Sequence, residues 1–95
     1  WPFDQAPNTA CISLRSIVFD GAPVLHVTHD RDDHGWQFLG LCDAEASEAC
    51  VVGLAQIVDR DASLLELAAL PVGWHAWRES ASAAWQQEPN PHDPE

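Results

Sequence analysis

Apolar and polar positions alternate in short runs through the first forty residues. In CISLRSIVF, Ile12 and Leu14 share one phase and Ile17 and Phe19 the other, so the period of two breaks at Arg15-Ser16 and predicts a bulge or interruption there. Asp20-Gly21 follows, flanked by IVF and VLHV. A DG pair adopts the positive φ of a tight turn readily, and this pattern predicts a β-hairpin. Pro23 has no N–H to donate, which gives that end of the second strand edge character. The strand continues through His29, the loop DRDDHG intervenes, and WQFL returns as a third strand with Trp36 and Phe38 on one face. The expectation for this half is an N-terminal antiparallel meander.

The period lengthens in the second half. LCDAEASEAC, residues 41–50, is weakly patterned and reads as a loop with a helical turn, and VVGL makes a short strand. Leu54, Ile57 and Val58 then fall at helical spacing and end at the charged DRD. Ser63 and Glu66 have the spacing of a capping box, which predicts a second helix with Leu64, Leu67 and Ala68 on its inner face and Pro71 as its stop. VGWHAWRE alternates as a last strand, placing Val72, Trp74 and Ala76 on one face and His75 and Trp77 on the other, and Trp85 closes the patterned region. The fold class predicted is α+β: an antiparallel sheet of about four or five strands packed on two short helices. The domain is expected over residues 9–88. Residues 1–8 and 89–95, rich in proline and without apolar periodicity, are expected as disordered or extended tails.

A chain of 95 residues makes one domain, and 46% hydrophobic residues suffice for one core. Charge narrows the function classes. Fifteen Asp and Glu stand against four Arg and no Lys, a net of −11, which repels phosphate backbones and anionic lipid and steers toward basic partners. Neither nucleic acid nor membrane is an expected partner. With no Met present, N-terminal sequence is expected to be missing, and no apolar run approaches the eighteen residues of a membrane span. Three cysteines without a CxxC fit a reducing cytoplasm.

The densest chemistry lies in HVTHDRDDHG. Residues 26 and 29 are an odd number apart, so on a strand their side chains point to opposite faces and cannot share an ion. A metal site here would have to combine His29 at the strand end with Asp32, Asp33 and His34 of the loop, a set suited to zinc or another transition ion. The same aspartates also suit a solvated turn, because Asp bonds its own backbone. No catalytic residue emerges: Cys11, Cys42 and Cys50 carry no local nucleophile signature, and the five glycines form no phosphate-cradling loop. No cofactor is expected. Trp74 and Trp77 should face opposite ways, and Trp77 beside His75 is the expected exposed anchor of a protein interface. With Asp30, Asp32 and Asp33 these two make the candidate partner-binding set.

The order of motifs carries a resemblance. Gly35-Trp36 with Phe38, the apolar segment at 51–58, the D-x-S-L-x-x-L run at 61–67 and Leu70-Pro71-Val72-Gly73 together resemble the small bacterial immunity protein thirty-three family of polymorphic toxin systems, over most of residues 10–86. The resemblance implies an α+β fold and neutralisation of a toxin by direct binding, and it transfers no catalytic residue. Two functional expectations therefore stand. The first is a small acidic binding protein of immunity type, and the second a metal-dependent enzyme or metal sensor centred on the His29/Asp32/Asp33/His34 loop.

Overall fold

The computed structural model describes residues 1–41 and 45–91. Six strands, β1 (Ala10–Leu14), β2 (His26–His29), β3 (Trp36–Leu39), β4 (Ala49–Gly53), β5 (Trp74–Trp77) and β6 (Gln86–Pro89), form one sheet in the order β4-β1-β3-β2-β5-β6. Two short α-helices, α1 (Arg15–Val18) and α2 (Leu54–Arg60), and two 3-10 helices, at Ala46–Glu48 within the expected loop with a helical turn and at Ala62–Leu67, accompany it among the described residues. The α+β class is as expected. The sheet is larger than expected and mixed, because β1 runs parallel to β3 while every other pair is antiparallel.

The predicted IVF-DG-VLHV hairpin does not form. The phase break at Arg15-Ser16 is a helical turn, α1, which lifts the chain out of the sheet and buries Ile17. Gly21 takes φ +79 just beyond that turn, so its freedom reverses the chain after a helix and not between two paired strands. β1 and β2 are thereby separated, and β3 fills the gap between them. The second connection behaves as predicted. β2 and β3 pair antiparallel across Asp30–Gly35, closed by the Asp30 N–H to the Gly35 carbonyl at 2.8 Å and the Gly35 N–H to Asp33 Oδ1 at 2.8 Å.

Strand parity sorts the sheet into a covered and an open face. Cys11, Val27, Trp36, Phe38, Val52 and Ala76 are buried together with Leu54, Ile57, Val58, Leu64 and Leu67 of the helical segments. As predicted, Leu54, Ile57 and Val58 line the buried side of α2. The predicted helix after it is instead a 3-10 helix, whose three-residue turn brings Leu64, Leu67 and then Leu70 over the same spot. Its cap is Asp61, whose side chain accepts from the Ser63 N–H at 3.0 Å, in place of the expected Ser63/Glu66 box. The Ser63 hydroxyl is engaged elsewhere, donating to Asp61 Oδ1 at 2.7 Å and accepting from Arg78 and from the Trp85 indole at 3.1 Å.

The chain ends also depart from expectation. Residues 1–8 form no strand or helix, yet Phe3 is buried against Trp36. The carbonyls of Thr9 and Pro7 accept from the Leu54 and Ala55 N–H groups at 2.8 Å each, satisfying donors that the start of α2 would otherwise leave open. At the other end β6 adds a wholly exposed QQEP strand to β5 and extends the sheet through Pro89. No apolar alternation announces β6, because neither of its faces is buried. Residues 92–95 of the expected C-terminal tail lie outside the described residues.

Candidate functional site

The helical residues that join the core, Leu54, Ile57, Val58, Leu64 and Leu67, share the face of Val27, Phe38 and Ala76, and the opposite face is the more open one among the described residues, although Thr28 on it is 6% exposed. Registers place Ile12, Val51, Gln37, Thr28, His26, His75, Trp77 and Glu88 on this open face. Two apolar side chains sit directly opposite one another across β1 and β4: Ile12 is 36% exposed and Val51 69% exposed. Toward the other edge, His26 and His75 meet diagonally across β2 and β5, with His26 Nε2 and His75 Nδ1 2.9 Å apart. Glu88, directly opposite His75 on β6, accepts from His75 Nε2–H at 3.1 Å. An ionised carboxylate only accepts, so His75 carries a proton on Nε2, and with the His75 ring neutral its Nδ1 accepts from His26 Nε2–H. Trp77 lies against His75 with ring centroids 5.1 Å apart.

The partner-binding residues read from the sequence gather around this face. His75 and Trp77 lie on it, half-buried, and turn away from Trp74 and Ala76 as alternation predicts. Asp30, Asp32 and Asp33 line a cleft of about 380 Å³ that shares Ile12, Gln37 and Val51 with the open face. Asp30 accepts from Gln37 Nε2 at 2.7 Å, which ties the acidic loop to the sheet.

The metal set read from the sequence does not come together. His29 points to the covered face, stacks on Trp36 with centroids 4.0 Å apart and donates from Nδ1 to the Leu70 carbonyl at 2.7 Å. Its Nε2 is buried without a hydrogen-bond partner among the described residues. Asp32, Asp33 and His34 stay exposed in the connection, where His34 has φ +56 and Asp33 closes the turn. Among the described residues no group of three or more His, Cys, Asp or Glu is arranged to hold a metal ion. Asp33 serves the turn, Asp30 is held by Gln37, and His29 is engaged with Trp36 on the covered face.

Of the cysteines, Cys11 and Cys50 are free thiols, and Cys42 lies outside the described residues. Burial first, and the neighbouring Cys50 second, push the Cys11 thiol from 9.0 up to about 12. It donates to the Val52 carbonyl at 3.2 Å. A thiol so held is protonated and inert as a nucleophile. Iodoacetamide at pH 8 is accordingly expected to leave Cys11 unmodified in the folded protein and to alkylate it once urea unfolds the chain. Peptide mapping that found Cys11 modified in the native protein as fast as a free thiol would contradict its placement.

Sequence reading missed His26 and Glu88 as neighbours of His75. His26 and His75 are forty-nine positions apart, and Glu88 stands in a segment without strand signal, so no local spacing could have joined them. Among the described residues no helix is long and apolar enough to cross a membrane. No family model, curated protein or solved structure matches the chain.

Proposed function

We propose that this domain is a non-enzymatic binding protein that takes a basic protein on the open face of its sheet, in the manner of an immunity protein neutralising a toxin. One observation carries the reading: a sheet face that, among the described residues, bears exposed Ile12 and Val51 and half-buried Trp77 shares Ile12, Gln37 and Val51 with the Asp30/Asp32/Asp33 cleft, in a chain of net charge −11. Apolar area with a tryptophan supplies the anchor of an interface, and the acidic border supplies steering and selects against acidic competitors. Nucleic acid and anionic lipid are disfavoured by the same charge.

The test is affinity capture from the source cells followed by titration of the retained protein. Wild type is expected to hold one basic protein, and Trp77→Ala to weaken it by about 2 kcal/mol, roughly thirtyfold, with its melting temperature little changed. Asp30→Asn, Asp32→Asn and Asp33→Asn together are expected to slow association and flatten its salt dependence. Affinity indifferent to both the Trp77 change and moderate salt would refute the proposal.

A further inference from the structure

We propose that His26 and His75 form a two-histidine site for a divalent transition ion that favours tetragonal nitrogen coordination, copper(II) or nickel(II), on the open face of the sheet. The two ring nitrogens that meet, His26 Nε2 and His75 Nδ1, are 2.9 Å apart. Metal–nitrogen bonds of about 2.0–2.1 Å to cis positions at right angles require nitrogens about 2.8–3.0 Å apart, whereas a tetrahedral ion requires about 3.3 Å. The separation present is that of the N–H···N bond the two rings now share and lies nearer the cis edge of a tetragonal site than the tetrahedral edge, so loading replaces the shared proton with the ion and turns both lone pairs toward a common point. Both rings stand on neighbouring strands of one sheet, so their backbone spacing is fixed by the β2–β5 ladder and is in place before an ion arrives.

Glu88 supplies the outer half of the arrangement. A ligating histidine almost always donates its other ring N–H to a carboxylate, carbonyl or water, which fixes the tautomer and raises its basicity. His75 does this, donating Nε2–H to Glu88 at 3.1 Å and leaving the Nδ1 lone pair directed at His26. Loading the site requires His26 to carry its proton on Nδ1 so that Nε2 offers a lone pair. From the neutral rings this is a change of tautomer with no net proton release, and each ring that begins protonated releases one proton. The His75 side chain is 14% exposed and that of Glu88 52% exposed, so the site is reached from solvent, and water completes the coordination. The net charge of −11 favours cation entry.

This site does not depend on the partner proposed above, and its test uses the domain alone. Isothermal titration with copper(II) and with nickel(II) is expected to show one site per chain for each ion, and zinc(II) to bind more weakly. His26→Gln and His75→Gln are each expected to weaken that site at least tenfold. Glu88→Gln, at an exposed position that should not disturb folding, is expected to weaken it about tenfold by loosening His75. His34→Gln is expected to change affinity less than twofold. Circular dichroism verifies that each variant is folded. The proposal is overturned if wild type shows no stoichiometric site, or if folded His26→Gln and His75→Gln variants bind as wild type does. In either case the 2.9 Å contact is a hydrogen bond only.

Discussion

Arg78→Met is expected to lower the stability of the domain by about 3 kcal/mol and its melting temperature by on the order of 10–20 °C. Arg78 is 2% exposed, an uncommon location for a guanidinium, and it makes four hydrogen bonds from its five N–H donors. Nε donates to the Val24 carbonyl at 3.0 Å, Nη1 to the Ser63 hydroxyl at 3.0 Å and the Ala81 carbonyl at 3.1 Å, and Nη2 pairs with the Asp61 carboxylate. The guanidinium also lies 4.3 Å from the Trp85 ring centroid, so one side chain ties the end of β5 to the 3-10 helix, the Val24 segment and the C-terminal loop. Methionine keeps most of the volume and removes every one of these bonds. The carbonyls of Val24 and Ala81 lose this donor, and Asp61 loses its counter-charge. The cost sits at the low end for a broken buried pair because the Asp61 side chain is 26% exposed and keeps both bonds from Ser63.

The same pair sets a pH dependence. Burial pushes the Asp61 carboxyl up, but hydrogen bonds from the Ser63 hydroxyl, Arg78 and the Ser63 N–H, together with the Arg78 charge, outweigh it and hold the carboxyl below 3.8. A carboxyl depressed in the folded state contributes stability that is fully present above its unfolded value and is lost as pH falls through the folded one. The gap between wild type and Arg78→Met should therefore be constant from neutral pH down to about 5 and narrow below about 4. Urea unfolding at pH 7, 5 and 3 measures it. A gap under 1 kcal/mol at pH 7, or one that widens in acid, would show that the network does not hold the domain together.

Phe3→Ala is expected to cost about 3 kcal/mol although residue 3 lies in an irregular, proline-flanked segment. Phe3 is 5% exposed and meets Trp36 edge to face with centroids 5.3 Å apart. Gln5 secures the same segment, accepting from the Trp36 indole N–H at 3.0 Å and donating to the His34 carbonyl at 3.1 Å. Removing the ring opens a cavity beside Trp36 and loosens the stretch whose carbonyls cap α2. Two readouts are expected to move together: a lower urea midpoint, and faster hydrogen exchange at the Leu54 and Ala55 amides. A midpoint within 0.5 kcal/mol of wild type would mean that residues 1–8 behave as the loose tail their composition suggests.

Phe3 also shows why composition misleads at chain ends. Proline and the lack of periodicity describe local conformation, and both are compatible with an irregular segment anchored by one aromatic ring against a partner thirty-three positions away. The same limit applies to Asp20-Gly21, whose turn chemistry is real and is used after α1 and not within a hairpin.

Parity and periodicity by themselves determined the inward faces. Trp36 and Phe38, Leu54, Ile57 and Val58, and the opposite orientations of Trp74 and Trp77 all follow from periods of 2 and 3.6, because burying one side of an element leaves that imprint on its own sequence. Only the tertiary structure decided which strands are neighbours: β3 between β1 and β2, β6 on β5, and therefore His26 beside His75 and Glu88. Apart from strands joined by a short loop, such as β2 and β3, strand neighbours are chosen by where helices and longer connections carry the chain, so no residue records such a partner across the sheet. For the same reason the three-histidine stretch divides as it does. His29 is drawn into the core against Trp36, and His26 is left on the open face with a partner from the far end of the chain.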